Sequence, residues 1–426
     1  MTSQLVLYTN GQIVGRDRLW LDHDVLVRDG RIESIRPNTR KRPQEAKIVS
    51  LGGGFLTPGL IDIHVHGGGG ADFMDGTIDA VRTACQTHLV HGTTTLFPTT
   101  TTASAEQLEN MIAACAQVQE ADRSSSRIEP GSNVGSRSGP RPTDQPSIAG
   151  SRMAAGARIG GVHLYGPYFA KDKVGCHLAN QQRPPDKQEY RRYFSTNMVR
   201  VATCAAELPG ATEFYRYASQ RGCLVTCGHS NSTYAEMQAA FRVGMRHVDH
   251  FWCAMSSVTS LRARCGTPMQ AGMEQFVLME PEMSTEVIAD GCHLSDDLLR
   301  FAYRFKGPER LCLVTDASRA LDQPPGEYRF GSDSDGPTFY SDGRVGWTLD
   351  RHSLASSVVG MDHMVRTMQR ATKAPLPDLI RMASLTPAER VGIAADYGSI
   401  EVGKVADFVL WSPRLIVKRV YLAESR

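Results

Sequence analysis

The chain has 426 residues, of which 41% are hydrophobic and 22% are charged, a composition typical of a globular protein. Its formal net charge of +2 gives no reason to expect nucleic acid or an anionic membrane as a partner. The ten cysteines are scattered and form no CxxC pair, which predicts reduced thiols. We find no basic and apolar leader and no apolar run near the roughly 18 residues of a membrane span, so we expect a soluble cytoplasmic protein.

Both ends of the chain have the sequence character of short β-strands. In residues 1–56 apolar runs alternate with turn signals, and the Asn-Gly pair at positions 10 and 11 is typical of a hairpin. Residues 396–426 repeat this character in YGSIEVGKVADFVLW and LIVKRVYL. We therefore expect one small β-sandwich-like domain assembled from both termini, with two unrelated β appendages as the alternative.

Between these ends, in residues 57–395, short β-rich runs alternate with segments compatible with helices. Eight such runs can be counted: LIDIHVH, TTTLFPT, IGGVHLY, MVRVATCA, CLVTCGH, RHVDHF, STEVIAD and LCLVTD. This alternation predicts a closed parallel (β/α)8 barrel of the TIM type, whose chemistry gathers at the carboxyl ends of the strands. A stretch from about 121 to 156, rich in Ser, Gly, Pro and Arg, predicts a flexible surface insertion, with a lid as the alternative.

The first of these runs ends in two histidines, His64 and His66, followed by four glycines. Residues two apart in a strand face the same side, so both imidazoles point one way, as ligands of a divalent metal such as zinc would. An ordinary buried strand is the alternative. Later strand ends carry His229, His250 and Asp316, and five such groups at one barrel mouth favour a metal site. A metal there lowers the pKa of a bound water to about 7, and Asp316 could take and pass on its proton.

The segments around these residues are similar to motifs of a known family. They are PGLIDIHVHG, GHSNSTYAEM, HFWCAMSS, IADGCHL, LVTDA, LASSVVGM and SLTPAERVGI, in the family's order over nearly the whole chain. With them the chain resembles the amidohydrolase superfamily and, within it, the N-acetylglucosamine-6-phosphate deacetylases. The resemblance places the metal histidine of the sixth strand at His250 rather than at His247.

This resemblance implies a metal-dependent hydrolase that removes the acetyl group from an N-acetylated amino sugar 6-phosphate. It implies one or two divalent ions, most often Zn2+. Metal-bound hydroxide would be the nucleophile, and Asp316 would act first as general base and then as general acid. A small-molecule substrate and a homodimer are also implied. The matched positions assigned to substrate binding are His177, Cys253, Ala254, Arg262 and His293.

The chain departs from the family where it reads HLYGPYF in place of HLEGP, so Tyr165 stands where a glutamate metal ligand is expected. A neutral phenol is a poor substitute for a carboxylate. The family's asparagine in HLFNAMS is Cys253 here, and LRARCGTP offers Arg262 or Arg264 as the phosphate-binding arginine at a changed spacing. Because the neighbouring subunit can contribute this arginine in the family, Arg262 could act across a dimer interface.

Two outcomes are open for the metal without that glutamate. The one we favour is a set of His64, His66, His229 and Asp316, which resembles the mononuclear site of adenosine-deaminase-type amidohydrolases. In the other, Glu207 swings in as a ligand. Tyr165 is then either a hydrogen-bond donor to the substrate or the metal-bound water, or a packed aromatic residue.

Two other functions stay open as alternatives. The replacements at Tyr165 and Cys253 would suit an amidohydrolase that acts on a different amide, a cyclic amide or an aminated ring. The loss of a principal metal ligand would suit a catalytically silent relative that binds a sugar phosphate.

Overall fold

The computed structural model describes residues 4–38, 43–125, 147–149 and 156–423. Most of the insertion expected from about 121 to 156 lies outside these ranges, so its flexibility stays a prediction. Its described parts are the end of a helix, up to Ser125, and a short strand at Ser147–Ala149. All ten cysteines are described and none is in a disulfide, as the sequence predicted. Among the described helices, none is both long and apolar enough to cross a bilayer.

Two β-sheets are built from segments near both ends of the chain. Their strands are β1 (Leu5–Thr9), β2 (Gln12–Val14), β3 (Leu19–Trp20), β4 (His23–Arg28), β5 (Arg31–Pro37), β6 (Lys47–Ser50), β7 (Phe55–Pro58), β12 (Ser147–Ala149), β24 (Phe408–Trp411) and β25 (Val417–Tyr421). One sheet has the order β5-β4-β1-β6 and the other β12-β25-β24-β7-β2-β3. Strand β24 pairs antiparallel with β7, so both ends of the chain contribute to one sheet, while domain boundaries at residues 56 and 395 stay a prediction.

The central part of the chain forms the predicted barrel of parallel strands. Its eight strands are β8 (Leu60–Val65), β11 (Thr93–Pro98), β14 (Val162–Leu164), β15 (Val199–Thr203), β16 (Leu224–Cys227), β17 (His247–Val248), β18 (Ser284–Ile288) and β19 (Leu311–Val314). Each lies within one of the eight predicted runs. Strands β14 to β19 pair in chain order, β8 pairs with β11, and a bridge between Thr99 and His163 joins β11 to β14. Short strands β9 (Gly67–Gly68), β10 (Ala71–Asp72) and β13 (Arg158–Ile159) accompany them.

The ring closes between its first and eighth strands. The amide of Asp316 donates to the carbonyl of His64 at 2.9 Å, and the amide of His66 donates to the carbonyl of Ala317 at 2.9 Å. All six residues of β8 are buried, as expected of a parallel strand that is covered on both faces. This closure brings the end of β8 beside the end of β19.

Helices cover the outside of the barrel. They are α1 (Ile78–Val90), α2 (Ala105–Ser125), α3 (Lys187–Ser195), α4 (Ala211–Ser219), α5 (Tyr234–Arg242), α6 (Val258–Cys265), α7 (Met273–Met279), α8 (Asp296–Lys306), α9 (Met361–Thr372), α10 (Leu376–Ala383) and α11 (Leu385–Arg390). Several begin at a side chain that accepts from the first free amides, as Thr233 does for α5 in a capping box with Glu236. Such caps fix where the loop after a strand ends and the helix begins.

An additional antiparallel sheet follows the eighth barrel strand. Its strands are β20 (Gly326–Arg329), β21 (Thr338–Ser341), β22 (Val345–Thr348) and β23 (Leu354–Ser357). Phe330, Phe339 and Ala355 form its small apolar core. Because β23 is bridged to the end of β19 through Ala317 and Ser357, this sheet lies at the mouth of the barrel.

Candidate active site

Three predicted ligands meet where the barrel closes. His64 and His66 come from the end of β8, and Asp316 follows β19. The Oδ1 atom of Asp316 lies 3.2 Å from Nε2 of His66 and 3.6 Å from Nε2 of His64. Their ligand atoms all lie within 4.8 Å of one another, and Nε2 of His64 is buried without a hydrogen-bond partner. An unsatisfied buried imidazole nitrogen beside a carboxylate and a second imidazole fits a divalent metal.

The remote ring nitrogens orient three of the predicted histidine ligands. Nδ1 of His64 donates to the carboxylate of Glu286, and Nδ1 of His66 donates to the carbonyl of Thr99 at 3.2 Å. Nδ1 of His229 donates to the carbonyl of Lys173 at 2.5 Å. A neutral imidazole with its proton on Nδ1 carries a free lone pair on Nε2. All three rings are therefore held in the tautomer that binds a metal through Nε2.

His250 differs in that its Nε2 is already engaged. Its Nε2 accepts from the hydroxyl of Tyr165, and its Nδ1 is buried without a partner. Burial, together with the charge of His64, lowers the pKa of His250 to about 4, so this ring is neutral. Burial raises the pKa of Tyr165 well above its usual value, so the phenol keeps its proton and donates it. In the described residues neither His250 nor His229 joins the close cluster of His64, His66 and Asp316.

Asp316 remains a carboxylate despite its burial. Burial alone would raise its pKa, but the neighbouring imidazoles of His66 and His64 hold the pKa well below the usual value. The residue has a left-handed backbone, with φ of 46°, and His229 has φ of 45°. Side chains other than glycine rarely adopt this conformation, and such strain gathers at functional sites.

Glu286 is a site residue that the sequence analysis missed. It lies in the middle of β18, is 1% exposed, and accepts from His64, from the amide of His250 at 3.1 Å and from Nε2 of His247 at 3.3 Å. The predicted site residues lie at strand ends, whereas Glu286 points into the barrel one layer below. The available signal was a charged residue inside the otherwise uncharged run STEVI.

Glu207 has hydrogen-bond partners of its own. Its carboxylate accepts from the hydroxyls of Ser230 at 2.6 Å and Ser232 at 2.7 Å and from the amide of Asn231. It joins neither of the close ligand groups found among the described residues. The structure thus gives no support to Glu207 as the replacement ligand.

A cavity of about 380 Å³ opens above the three ligands. Most of the predicted substrate-binding residues line it, namely Tyr165, His177, Cys253, Ala254 and His293. Lys173, which the sequence analysis did not single out, lines it too. Arg262 is exposed on α6 and is not among the lining residues, so its role stays a prediction. Arg264 is paired with Glu236, at 2.8 Å from NH1 to Oε2.

A closed parallel barrel with imidazole and carboxylate ligands at the carboxyl ends of its strands defines a class of metal-dependent α/β-barrel proteins. The model of the amidohydrolase family matches residues 55–424. The chain belongs to the amidohydrolase family, and the expectation from the sequence motifs is confirmed.

Several curated relatives match nearly end to end. The N-acetylglucosamine-6-phosphate deacetylase of Vibrio furnissii is 30% identical over 96% of this chain and 92% of its own length. The N-acetylgalactosamine-6-phosphate deacetylase of Escherichia coli O157:H7 is 29% identical over 95% of this chain and 94% of its own. Among solved structures, the N-acetyl-D-glucosamine-6-phosphate deacetylase of Mycobacterium smegmatis superposes with a TM-score of 0.83 at 23% identity, covering 99% of both chains. This last likeness supports the fold.

Proposed function

We propose that this chain is a metal-dependent hydrolase that removes the acetyl group from an N-acetylated amino sugar 6-phosphate. The observation that carries the proposal is the convergence of His64, His66 and Asp316, of which His66 and Asp316 line a cavity, in a member of the amidohydrolase family. Relatives named as deacetylases of N-acetylglucosamine 6-phosphate match over most of the chain, which supports the substrate class.

The metal we propose is a single zinc ion held by His64, His66 and Asp316, with His229 as the fourth side chain. Imidazole and carboxylate ligands suit Zn2+, and the Nδ1 contacts of all three histidines leave Nε2 available. The contact between Tyr165 and His250 supports one ion rather than two, because it engages the ring nitrogen that a second ion would need. When bound, the metal supplies Lewis acidity to the carbonyl and lowers the pKa of a coordinated water.

Asp316 carries the proton in this proposal. Because its carboxylate is ionised at neutral pH, it accepts a proton as water adds to the amide carbonyl. The nitrogen of the departing amino sugar then takes that proton as the C–N bond breaks. His177, which lines the cavity, is the side chain we place at the acetyl carbonyl.

Two basic side chains at the cavity support a phosphorylated substrate. Lys173 is one of them, although the lining also includes the carboxylates of Asp172 and Asp316. His293 also lines the cavity, and Asp290, which accepts from its Nδ1 at 2.7 Å, raises the pKa of His293 against the effect of burial. We propose that these two residues bind the phosphate, that Arg262 of a neighbouring copy in a homodimer adds to them, and that the protein is cytoplasmic.

Acetate release tests the proposal. The zinc-loaded protein is incubated with N-acetylglucosamine 6-phosphate, N-acetylgalactosamine 6-phosphate and the corresponding sugars without phosphate. We expect acetate from at least one phosphorylated sugar and much less from its unphosphorylated counterpart. The absence of acetate with zinc, iron, manganese and cobalt would contradict deacetylation.

A second candidate is an amidohydrolase of another amide. The phenol of Tyr165 and the thiol of Cys253 at the cavity favour it, since both change the surface that meets the substrate. Turnover confined to amides, cyclic amides or aminated rings without phosphate, in the same metal-loaded protein, would establish it. Full occupancy by metal without any turnover would instead indicate a silent sugar-phosphate-binding protein.

A further inference from the structure

Glu286 is a carboxylate enclosed completely by the barrel. Burying a charge is costly unless every lone pair finds a donor. Here one oxygen accepts from His64 and from the amide of His250, and the other accepts from His247. These three donors stabilise Glu286 as an anion directly below a proposed metal ligand.

We propose that Glu286 is the positioning residue of the metal centre, which holds His64 as an Nε2 ligand and balances the charge of the bound ion. This proposal rests on the metal-dependent function proposed above. It concerns a residue that touches neither the substrate nor the ion.

The orientation of His64 supports the first half of the proposal. Its ring is completely buried, and its Nδ1 faces Glu286. The opposite nitrogen, Nε2, faces Asp316 and has no hydrogen-bond partner. A carboxylate on the remote nitrogen fixes both the ring plane and the tautomer, and removing such a partner typically weakens metal binding 10–100-fold.

The balance of charge supports the second half. His64, His66 and His229 bind as neutral rings, so Asp316 is the anion among the proposed ligands. One carboxylate leaves a divalent ion with an uncompensated positive charge in a buried site. Tyr165 contributes no anion, because its hydroxyl keeps its proton to donate to Nε2 of His250. Glu286 supplies the second negative charge through the imidazole of His64.

A second carboxylate nearby does not have this role. Asp249, also buried, accepts from the hydroxyls of Thr203 at 2.9 Å and Thr226 at 2.5 Å. None of its hydrogen bonds in the described residues comes from an imidazole. The contact with a metal-ligand ring distinguishes Glu286 from the other polar groups in the barrel.

The test is the zinc affinity of the Glu286→Gln variant. Glutamine keeps the size of the side chain, and its oxygen can accept from His64 while its amide group donates to Nε2 of His247. The proton of His247 is then on Nδ1, which can donate to Ser284 Oγ, 2.8 Å away. The full-length apoprotein is titrated with zinc against a chromophoric chelator. We expect one site per chain in both proteins and a Kd that is 10–100-fold higher in Glu286→Gln.

The matched control is Thr285→Val on the same strand. Thr285 is equally buried, and its hydroxyl donates to the carbonyl of Val248 at 2.9 Å, away from the histidines. It should keep the wild-type zinc Kd within about twofold even if the protein becomes less stable. A folded Glu286→Gln variant with the wild-type Kd would overturn the proposal, whereas a wild-type chain that binds no zinc would overturn the proposed function as well.

The wild-type chain offers a measurement that does not depend on a variant at position 286. In 15N-histidine NMR spectra of the apoprotein and the zinc-loaded protein, the signals of His64 can be assigned from their loss in His64→Asn. In the zinc-loaded protein we expect a proton on Nδ1 with the downfield shift of a strong hydrogen bond, and zinc bound at Nε2. Zinc bound at Nδ1, or an Nδ1 without a proton in the zinc-loaded protein, would contradict the proposal even if Glu286→Gln failed to fold.

Discussion

We expect Tyr165 to limit the chain to one metal ion. Its hydroxyl engages Nε2 of His250, and its ring lies 5.3 Å from that of His229 between centroids. In Tyr165→Glu the phenol is replaced by a carboxylate near both imidazoles, a ligand set for a second divalent ion. We expect the zinc content to rise from one to two per chain in Tyr165→Glu and to stay at one in Tyr165→Phe, measured by elemental analysis. Two zinc ions in the wild-type chain would contradict this reading of Tyr165.

Lys173 is expected to recognise the charge of the substrate. A charge-assisted hydrogen bond contributes about 1.5–3 kcal/mol, so Lys173→Met should raise KM for the phosphorylated substrate roughly 10–100-fold with a smaller change in kcat. The hydrogen bond that orients His229 is accepted by the backbone carbonyl of Lys173, so it is kept in Lys173→Met. Lys171→Met is the control, because Lys171 lies on the same short 3-10 helix but is exposed and outside the cavity lining. An equal loss with unphosphorylated substrate would contradict phosphate recognition.

At the scale of single residues, the sequence predicted the side chains at the ends of the strands. His64, His66 and Asp316 lie at the ends of predicted strands, and the closure of the barrel brings them together. Glu286 and the Tyr165–His250 contact were not predicted, because they depend on which side chains share a layer inside the barrel. The spacing of residues along one strand does not show which residue on a distant strand lies at the same height.

Two helices meet at His91, just after α1. Its Nδ1 donates to Asp362, in the first turn of α9, at 2.9 Å, and its Nε2 donates to Asp322 at 3.0 Å. Burial alone would lower the pKa of His91, but its hydrogen bonds to these two carboxylates raise it to about 10. The pKa of His91 is thus higher in the folded than in the unfolded chain, so charged His91 stabilises the folded state. This stabilisation is fully present below about pH 6.5 and is lost as the pH rises towards 10.

The variant His91→Gln tests this junction. We expect it to lower the free energy of unfolding by about 2 kcal/mol at pH 6 and by progressively less between pH 6.5 and 10. Urea unfolding at several pH values measures the difference. The control is His352→Gln, since His352 is exposed on a loop and should change stability little at any pH. A difference between wild type and His91→Gln that grows with pH would contradict the charged state of His91.

The barrel strands were easier to predict than the sheet at its mouth. Each barrel strand is a short apolar run, because both its faces are covered. Strand β20 instead alternates half-buried and exposed residues within a segment rich in Gly, Asp, Ser and Pro. Strands of that kind are stabilised by pairing with neighbours rather than by their own composition, so they were hard to predict from the residues alone.

On the scale of the whole molecule, the proposed metal site lies on the seam that closes the barrel. Besides the backbone bonds between β8 and the loop after β19, the hydroxyl of Thr315 donates to Asp62 at 2.5 Å across the same seam. A metal bound by His64, His66 and Asp316 would join the first and eighth strands by coordinate bonds. Its removal should therefore loosen the seam more than any other part of the barrel.

Hydrogen exchange of the zinc-loaded and chelated proteins measures this effect. At free zinc 100-fold above Kd, linkage stabilises the binding-competent state by about 2.7 kcal/mol, or roughly 100-fold in the opening equilibrium. When zinc is bound, we expect exchange to be roughly 100-fold slower in peptides that cover β8 and β19. We expect little change in β1, β4 and β5 of the terminal sheet. His64→Ala should remove the difference between the two conditions. Equal protection of all these strands would show that zinc stabilises the molecule as a single unit, and no protection at the seam would contradict the proposed ligands.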